Sequence, residues 1–87
     1  MYFTYVLLCK GKATKLYVGS CANLENRVKE HIAKEVKSTR VYDTISLIYY
    51  EACLNKTDAI KRERQLKTGF GRGYLKRRLE QYFKARV

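Results

Sequence analysis

The run Tyr2-Phe3-Thr4-Tyr5-Val6-Leu7-Leu8-Cys9 constrains this chain more than any other stretch. Side chains of a β-strand alternate between two faces, and here both faces are apolar or aromatic, with Thr4 the one polar residue. Such a strand is buried on both sides, so the sheet that contains it is expected to be flanked by helices. With 87 residues there is room for one hydrophobic core, and a single domain spanning residues 1–87 is expected.

Downstream, Lys10-Gly11-Lys12-Ala13-Thr14 is a polar, glycine-containing turn, and Lys15 to Ser20 reads as the returning strand of a hairpin. Tyr5 and Tyr17 are then able to face the same side, although sequence does not fix the register. Asn23 is a good N-cap, and Glu25 adds a carboxylate to the first turn of a helix running from Leu24 to about Val36. Leu24, Val28 and Ile32 recur every four residues as its buried stripe, and Arg27 and His31, also four apart, share a face along the edge of that stripe. Lys37-Ser38-Thr39-Arg40 is a basic loop, and Thr44 to Glu51 reads as a third strand. Asn55 caps a second helix that runs to about Lys67. Gly69 to Gly73 reads as a turn that breaks the helix, and a last helix runs from Tyr74 to about Lys84 with Leu75, Leu79, Tyr82 and Phe83 inside. The expected fold is therefore α+β, a small three-stranded antiparallel sheet flanked by helices in the order β-β-α-β-α-α.

One residue of the second helix is out of place. At about 100° per residue, Ala59, Ile60 and Leu66 form its apolar face, and Glu63 falls in the middle of it. A carboxylate there must be paired, protonated or bound to a cation. A salt bridge to a basic residue of another element is the plain reading, and a metal ligand is the sharper one.

Charge limits the partners. Nineteen Lys and Arg against eight Asp and Glu leave a net +11. Residues 1–55 hold eight basic and five acidic side chains (+3), and residues 56–87 hold eleven and three (+8). That excess favours a polyanion, with nucleic acid the natural candidate. The basic segment lacks the wide aromatic face of a membrane-surface helix, and the longest apolar run, Val6 to Cys9, is far too short to span a bilayer. The N-terminus lacks the features of a signal peptide, so a cytoplasmic location is expected, with no membrane and no obligate protein partner. Cys9, Cys21 and Cys53 are widely spaced and read as free thiols rather than as a zinc site.

Taken in order, Tyr5, Tyr17, Gly19, Arg27, His31 and Glu63 resemble the GIY-YIG nuclease domain. Tyr17-Val18-Gly19 matches the second half of that name closely, while Phe3-Thr4-Tyr5 matches the first half only at its tyrosine. The arginine eight residues after Gly19, the histidine four further on and the glutamate in Lys61-Arg62-Glu63-Arg64-Gln65-Leu66-Lys67 also fit. The Lys37-Ser38-Thr39-Arg40 loop is similar to that of small stand-alone members. Larger family nucleases carry an asparagine downstream of the metal-binding glutamate; no Asn follows Asn55 here, and small members commonly lack it too.

The resemblance implies a metal-dependent endonuclease hydrolysing phosphodiester bonds, with Tyr5, Tyr17, Arg27, His31 and Glu63 catalytic and Glu63 holding Mg²⁺ or Mn²⁺. A hard cation that keeps several waters suits a single carboxylate. Arg27 has the chemistry to bind the scissile phosphate. Which of Tyr5, Tyr17 and His31 deprotonates the water stays open. Gly19, Lys37, Thr39, Arg40, Lys67 and Arg72 are candidate nucleic-acid contacts, with DNA favoured over RNA and structure-selective or low-specificity cutting. A non-catalytic nucleic-acid-binding module that keeps the fold is the alternative, and a small component of a ribonucleoprotein assembly is a weaker third.

Overall fold

In the computed structural model, which describes residues 1–85, the double-sided apolar run forms β1 (Tyr2–Lys10). It is the middle strand of a three-stranded antiparallel sheet, between β2 (Thr14–Cys21) and β3 (Thr44–Cys53). The helices are α1 (Leu24–Ile32), α2 (Lys56–Leu66), α3 (Gly69–Arg78) and α4 (Glu80–Lys84). The architecture is the expected β-β-α-β-α-α with one more short helix. The last two residues of the expected 1–87 domain lie outside the described residues.

Register decides which side chains share a face. Tyr5 lies opposite Gly19 and Leu7 opposite Tyr17, so Tyr5 and Tyr17 project from the same side of the sheet. On the other flank Tyr5 lies opposite Tyr50, and the β1–β3 register shifts between Val6 and Leu7. Leu24 and Val28 of α1 pack with Tyr5, Leu7 and Cys9 on one face. Leu66 of α2 and Leu75 of α3 pack with Val6 and Val18 on the other. Thr4, the polar residue of the run, is satisfied by donating to the Ala59 carbonyl of α2 at 2.9 Å. Both helix caps are as expected: Asn23 accepts from the Asn26 amide and Asn55 from the Thr57 amide.

Four expectations need correction. Helix α1 ends at Ile32 rather than near Val36 because the chain turns left-handed at Lys34 (φ 65°). The Lys34 amide bonds to the His31 carbonyl and the Glu35 amide to that of Glu30, closing the helix in a Schellman arrangement. The buried stripe is also rotated: Ile32 is 56% exposed, and His31 takes the interior position.

The Gly69 to Gly73 segment is the first part of α3 and not a break. Thr68 Oγ1 accepts from the Gly71 amide at 3.1 Å and starts the helix. At Gly71 the glycine permits close packing, since a Cβ there would stand 2.4 Å from both Gln65 O and Leu66 Cα. The expected final helix is divided at Leu79, where the backbone leaves helical geometry (φ −111°, ψ 23°).

Candidate active site

The α1 face of the sheet gathers four of the five expected catalytic residues. Tyr5, from the middle strand, is 1% exposed. Its Oη lies 2.9 Å from His31 Nε2 and accepts from Arg27 Nε at 3.4 Å. The i, i+4 spacing on α1 is what lets Arg27 and His31 reach the same hydroxyl. Tyr17 packs its ring edge-on to His31, with centroids 5.1 Å apart, and lies 6.3 Å from the Tyr5 ring. Gly19 makes room for Tyr5, since a Cβ built there would come 2.5 Å from Tyr5 Oη.

His31 has no exposure, and its second ring nitrogen, Nδ1, lies 2.7 Å from Thr39 Oγ1. Burial, helped by the Arg27 charge, lowers the pKa of His31, so the ring is neutral near pH 7. Burial pushes Tyr5 up to about 12 against the pull of Arg27, so its phenol stays protonated. Arg27 is held firmly charged, first by its bond to Tyr5 and then by Glu30 Oε1, which Nη1 reaches at 2.9 Å. Tyr5 and His31 are sealed from solvent, whereas Tyr17 is half-buried and the Arg27 side chain is 36% exposed. Those last two are the groups of the cluster that a substrate can touch.

Glu63 reaches this cluster only indirectly. Ser20 lies opposite Thr4 and so faces α2 rather than α1. Its hydroxyl donates to Glu63 Oε1 at 2.7 Å, and Lys67 Nζ donates to Oε2 at 2.5 Å. The ionic partner thus comes from the same helix, and the partner from another element is a neutral serine. Burial raises the Glu63 pKa, but the bonds from Lys67 and Ser20 outweigh it and hold the carboxyl below the usual range. The carboxylate is therefore ionised at neutral pH, 21% exposed, and has lone pairs left on both oxygens. A single ionised carboxylate with access to water fits Mg²⁺ or Mn²⁺, which take few protein oxygens. Among the described residues, no three His, Cys, Asp or Glu side chains converge into a larger metal cluster.

A groove of about 560 Å³ borders the site, lined by Lys15 and Tyr17 of β2, Lys67, and Arg72 and Lys76 of α3. Lys67 and Arg72 were expected to meet nucleic acid; Lys15 and Lys76 were not singled out, and neither was Ser20. Strict alternation after Gly19 is the signal that puts Ser20 on the opposite face, towards α2. Two expected contacts are displaced. Gly19 is buried under the Tyr5 ring, and Thr39 has no exposure and is bonded to His31, so neither presents a surface to a polyanion. Lys37 and Arg40, from the same loop, are exposed. A larger groove of about 690 Å³ between α1 and β3 is apolar, lined by Phe3, Leu24, Val28, Leu47 and Tyr50, and holds none of the candidate residues.

The sequence profile described as the GIY-YIG catalytic domain matches residues 1–77. A UPF0213 protein of Staphylococcus haemolyticus is 37% identical over 65 residues, covering 74% of this chain and 79% of that protein. One from Clostridium perfringens is 38% identical over 68 residues (77% and 71% covered), and one from Natronomonas pharaonis is 37% identical over 68 (77% and 78%). No solved structure matches the chain. The profile runs from the first strand through most of α3, and the fold beneath it has the order and the aromatic-basic face that the motif residues require. The chain belongs to the GIY-YIG family.

Proposed function

We propose that the protein is a metal-dependent endonuclease that hydrolyses phosphodiester bonds in DNA, with structure-selective or low sequence specificity. The observation that carries this reading is the convergence of Arg27 and His31 on the Tyr5 hydroxyl, with Tyr17 spanning from that cluster to a groove lined by Lys15, Lys67, Arg72 and Lys76. Arg27 donates to a non-bridging oxygen of the scissile phosphate and offsets the charge that grows there in the transition state. Tyr17 orients the attacking water, and Tyr5 and His31 hold Arg27 and Tyr17 in place. Glu63 holds Mg²⁺ or Mn²⁺, which when bound lowers the pKa of water and draws charge from the phosphoryl oxygens. The basic groove grips the backbone without reading bases. Membership of the family supports a nuclease; DNA as substrate, the metal, a cytoplasmic location and action without an obligate protein partner belong to this reading.

The Lys67–Glu63 ion pair favours a second reading, a nucleic-acid-binding module that has kept the fold without catalysis, because Lys67 competes for the carboxylate. A plasmid-nicking assay with Mg²⁺ or Mn²⁺ separates the two. Nicking that disappears in Glu63→Ala and in Arg27→Ala supports the nuclease. Salt-dependent binding with no cleavage under either ion supports the second reading, and equal nicking by wild type and both variants rejects the proposed site.

A further inference from the structure

Four side chains form one unbroken run of hydrogen bonds: Arg27 Nε to Tyr5 Oη (3.4 Å), Tyr5 Oη to His31 Nε2 (2.9 Å), and His31 Nδ1 to Thr39 Oγ1 (2.7 Å). Tyr5, His31 and Thr39 are all closed to solvent, so no bulk water replaces a missing partner and a donor left without an acceptor is costly there. The neutral imidazole has two ways to bond both neighbours. Either Nε2–H donates to Tyr5 and Thr39 donates to Nδ1, or Tyr5 donates to Nε2 and Nδ1–H donates to Thr39.

Arg27 distinguishes them. Its Nε–H only donates, so Tyr5 Oη is an acceptor in that bond, and a phenol oxygen accepting from a cation becomes a stronger donor. One hydroxyl hydrogen is left over at one end of the run whichever tautomer forms. The guanidinium charge makes the Tyr5 end, packed against Gly19, the costlier place to leave it. The phenol hydrogen therefore points to Nε2, and the ring proton sits on Nδ1.

We propose that Thr39 is a positioning residue that holds His31 as the Nδ1–H tautomer, with the Nε2 lone pair on the Tyr5 hydroxyl, and thereby sets the orientation of Arg27. Its consequence for catalysis rests on the nuclease reading above; the tautomer does not. Thr39 comes from the turn after α1, where its amide and that of Arg40 both bond to the Val36 carbonyl. That geometry gives the loop a task inside the site, while Lys37 and Arg40 on the same loop face solvent.

His31 is the only histidine of the chain, so its ring nitrogens give unambiguous signals in a ¹⁵N-labelled sample. At about pH 8, where a histidine is neutral, wild type and Thr39→Ser should both show a protonated Nδ1 and an unprotonated Nε2. Free histidine side chains favour the opposite tautomer. Thr39→Val removes the acceptor at nearly constant volume and should move His31 to Nε2–H or to an exchanging mixture, with backbone amide signals of the sheet retained. Nicking should fall about a hundredfold in Thr39→Val, the cost of a misplaced catalytic group, and return in Thr39→Ser. A wild-type ring protonated on Nε2, or His31 signals unchanged in Thr39→Val, overturns the proposal. Should Thr39→Val fail to fold, the wild-type and Thr39→Ser tautomers still decide. A tautomer switch with no nicking in any sample supports the positioning role and rejects the nuclease reading alone.

Discussion

Gly19 and Tyr5 face each other across the β1–β2 pair, and a Cβ on Gly19 would stand 2.5 Å from Tyr5 Oη and 2.6 Å from its Cζ. The same phenol oxygen meets Arg27 and His31. The glycine of the motif is thus the floor on which the cluster is assembled, and its lack of a side chain sets where the Tyr5 hydroxyl can stand.

Gly19→Ala should therefore damage the site and the fold together. The added methyl meets a ring fixed by two hydrogen bonds, so it cannot be relieved by a rotamer change, and overpacking of this kind costs about 1–3 kcal/mol. Thermal denaturation should show a loss of roughly 4–8 °C per kcal/mol for a domain of this size. A variant as stable as wild type with full nicking would show that the ring moves freely.

The α3 glycines predict opposite signs. A Cβ on Gly69 would meet nothing within 4 Å, so Gly69→Ala should stabilise by up to about 1 kcal/mol through helix propensity. At Gly71 the same change places a Cβ 2.4 Å from backbone atoms of Gln65 and Leu66. Separation of α2 from α3 should outweigh the propensity gain, and Gly71→Ala should melt lower than wild type. Equal melting temperatures for the two variants would contradict this packing of α2 on α3.

Acid should weaken the fold through His31. Burial depresses its folded pKa, while the unfolded side chain titrates near about 6.5. Below that value the unfolded chain binds a proton that the folded one resists, so stability is complete above it and is lost as pH falls towards the folded pKa. The wild-type melting temperature should drop between about pH 7.5 and 5.5, and His31→Gln should flatten that dependence. A wild-type profile as flat as the variant's would remove His31 as the cause.

The groove should behave as a phosphate-binding surface. Arg72→Gln and Lys76→Gln should each weaken DNA binding by a similar factor across unrelated sequences. Each should also reduce the slope of log K against log salt by about 1. A loss confined to one sequence, or an unchanged slope, would point to base contacts or to no contact at all.

Much of this protein is legible along the chain because its signals are local. Alternation in Tyr2 to Cys9 requires a strand covered on both faces, Asn23 and Asn55 mark two helix starts, and the spacing of Arg27 and His31 puts them on one side of a helix. Glu63 is conspicuous for the same reason, as a charge at an apolar position.

What tertiary structure decided is which of these groups meet. Four-residue periodicity favours Ile32 as the buried residue at the end of α1, yet His31 is inside because Tyr5, 26 residues away, and Thr39, eight residues away, supply hydrogen bonds to both ring nitrogens. The glycines before Tyr74 look like a break until Leu66 is seen against Gly71. Glu63 finds Ser20 across 43 residues, on the face of the sheet away from Tyr5. Sequence determined the strands, the caps and the reactive residue types, since each depends on near neighbours. Burial and hydrogen-bond partners depend on residues brought together only by folding, so only the folded chain could assign Thr39 to His31 and Ser20 to Glu63.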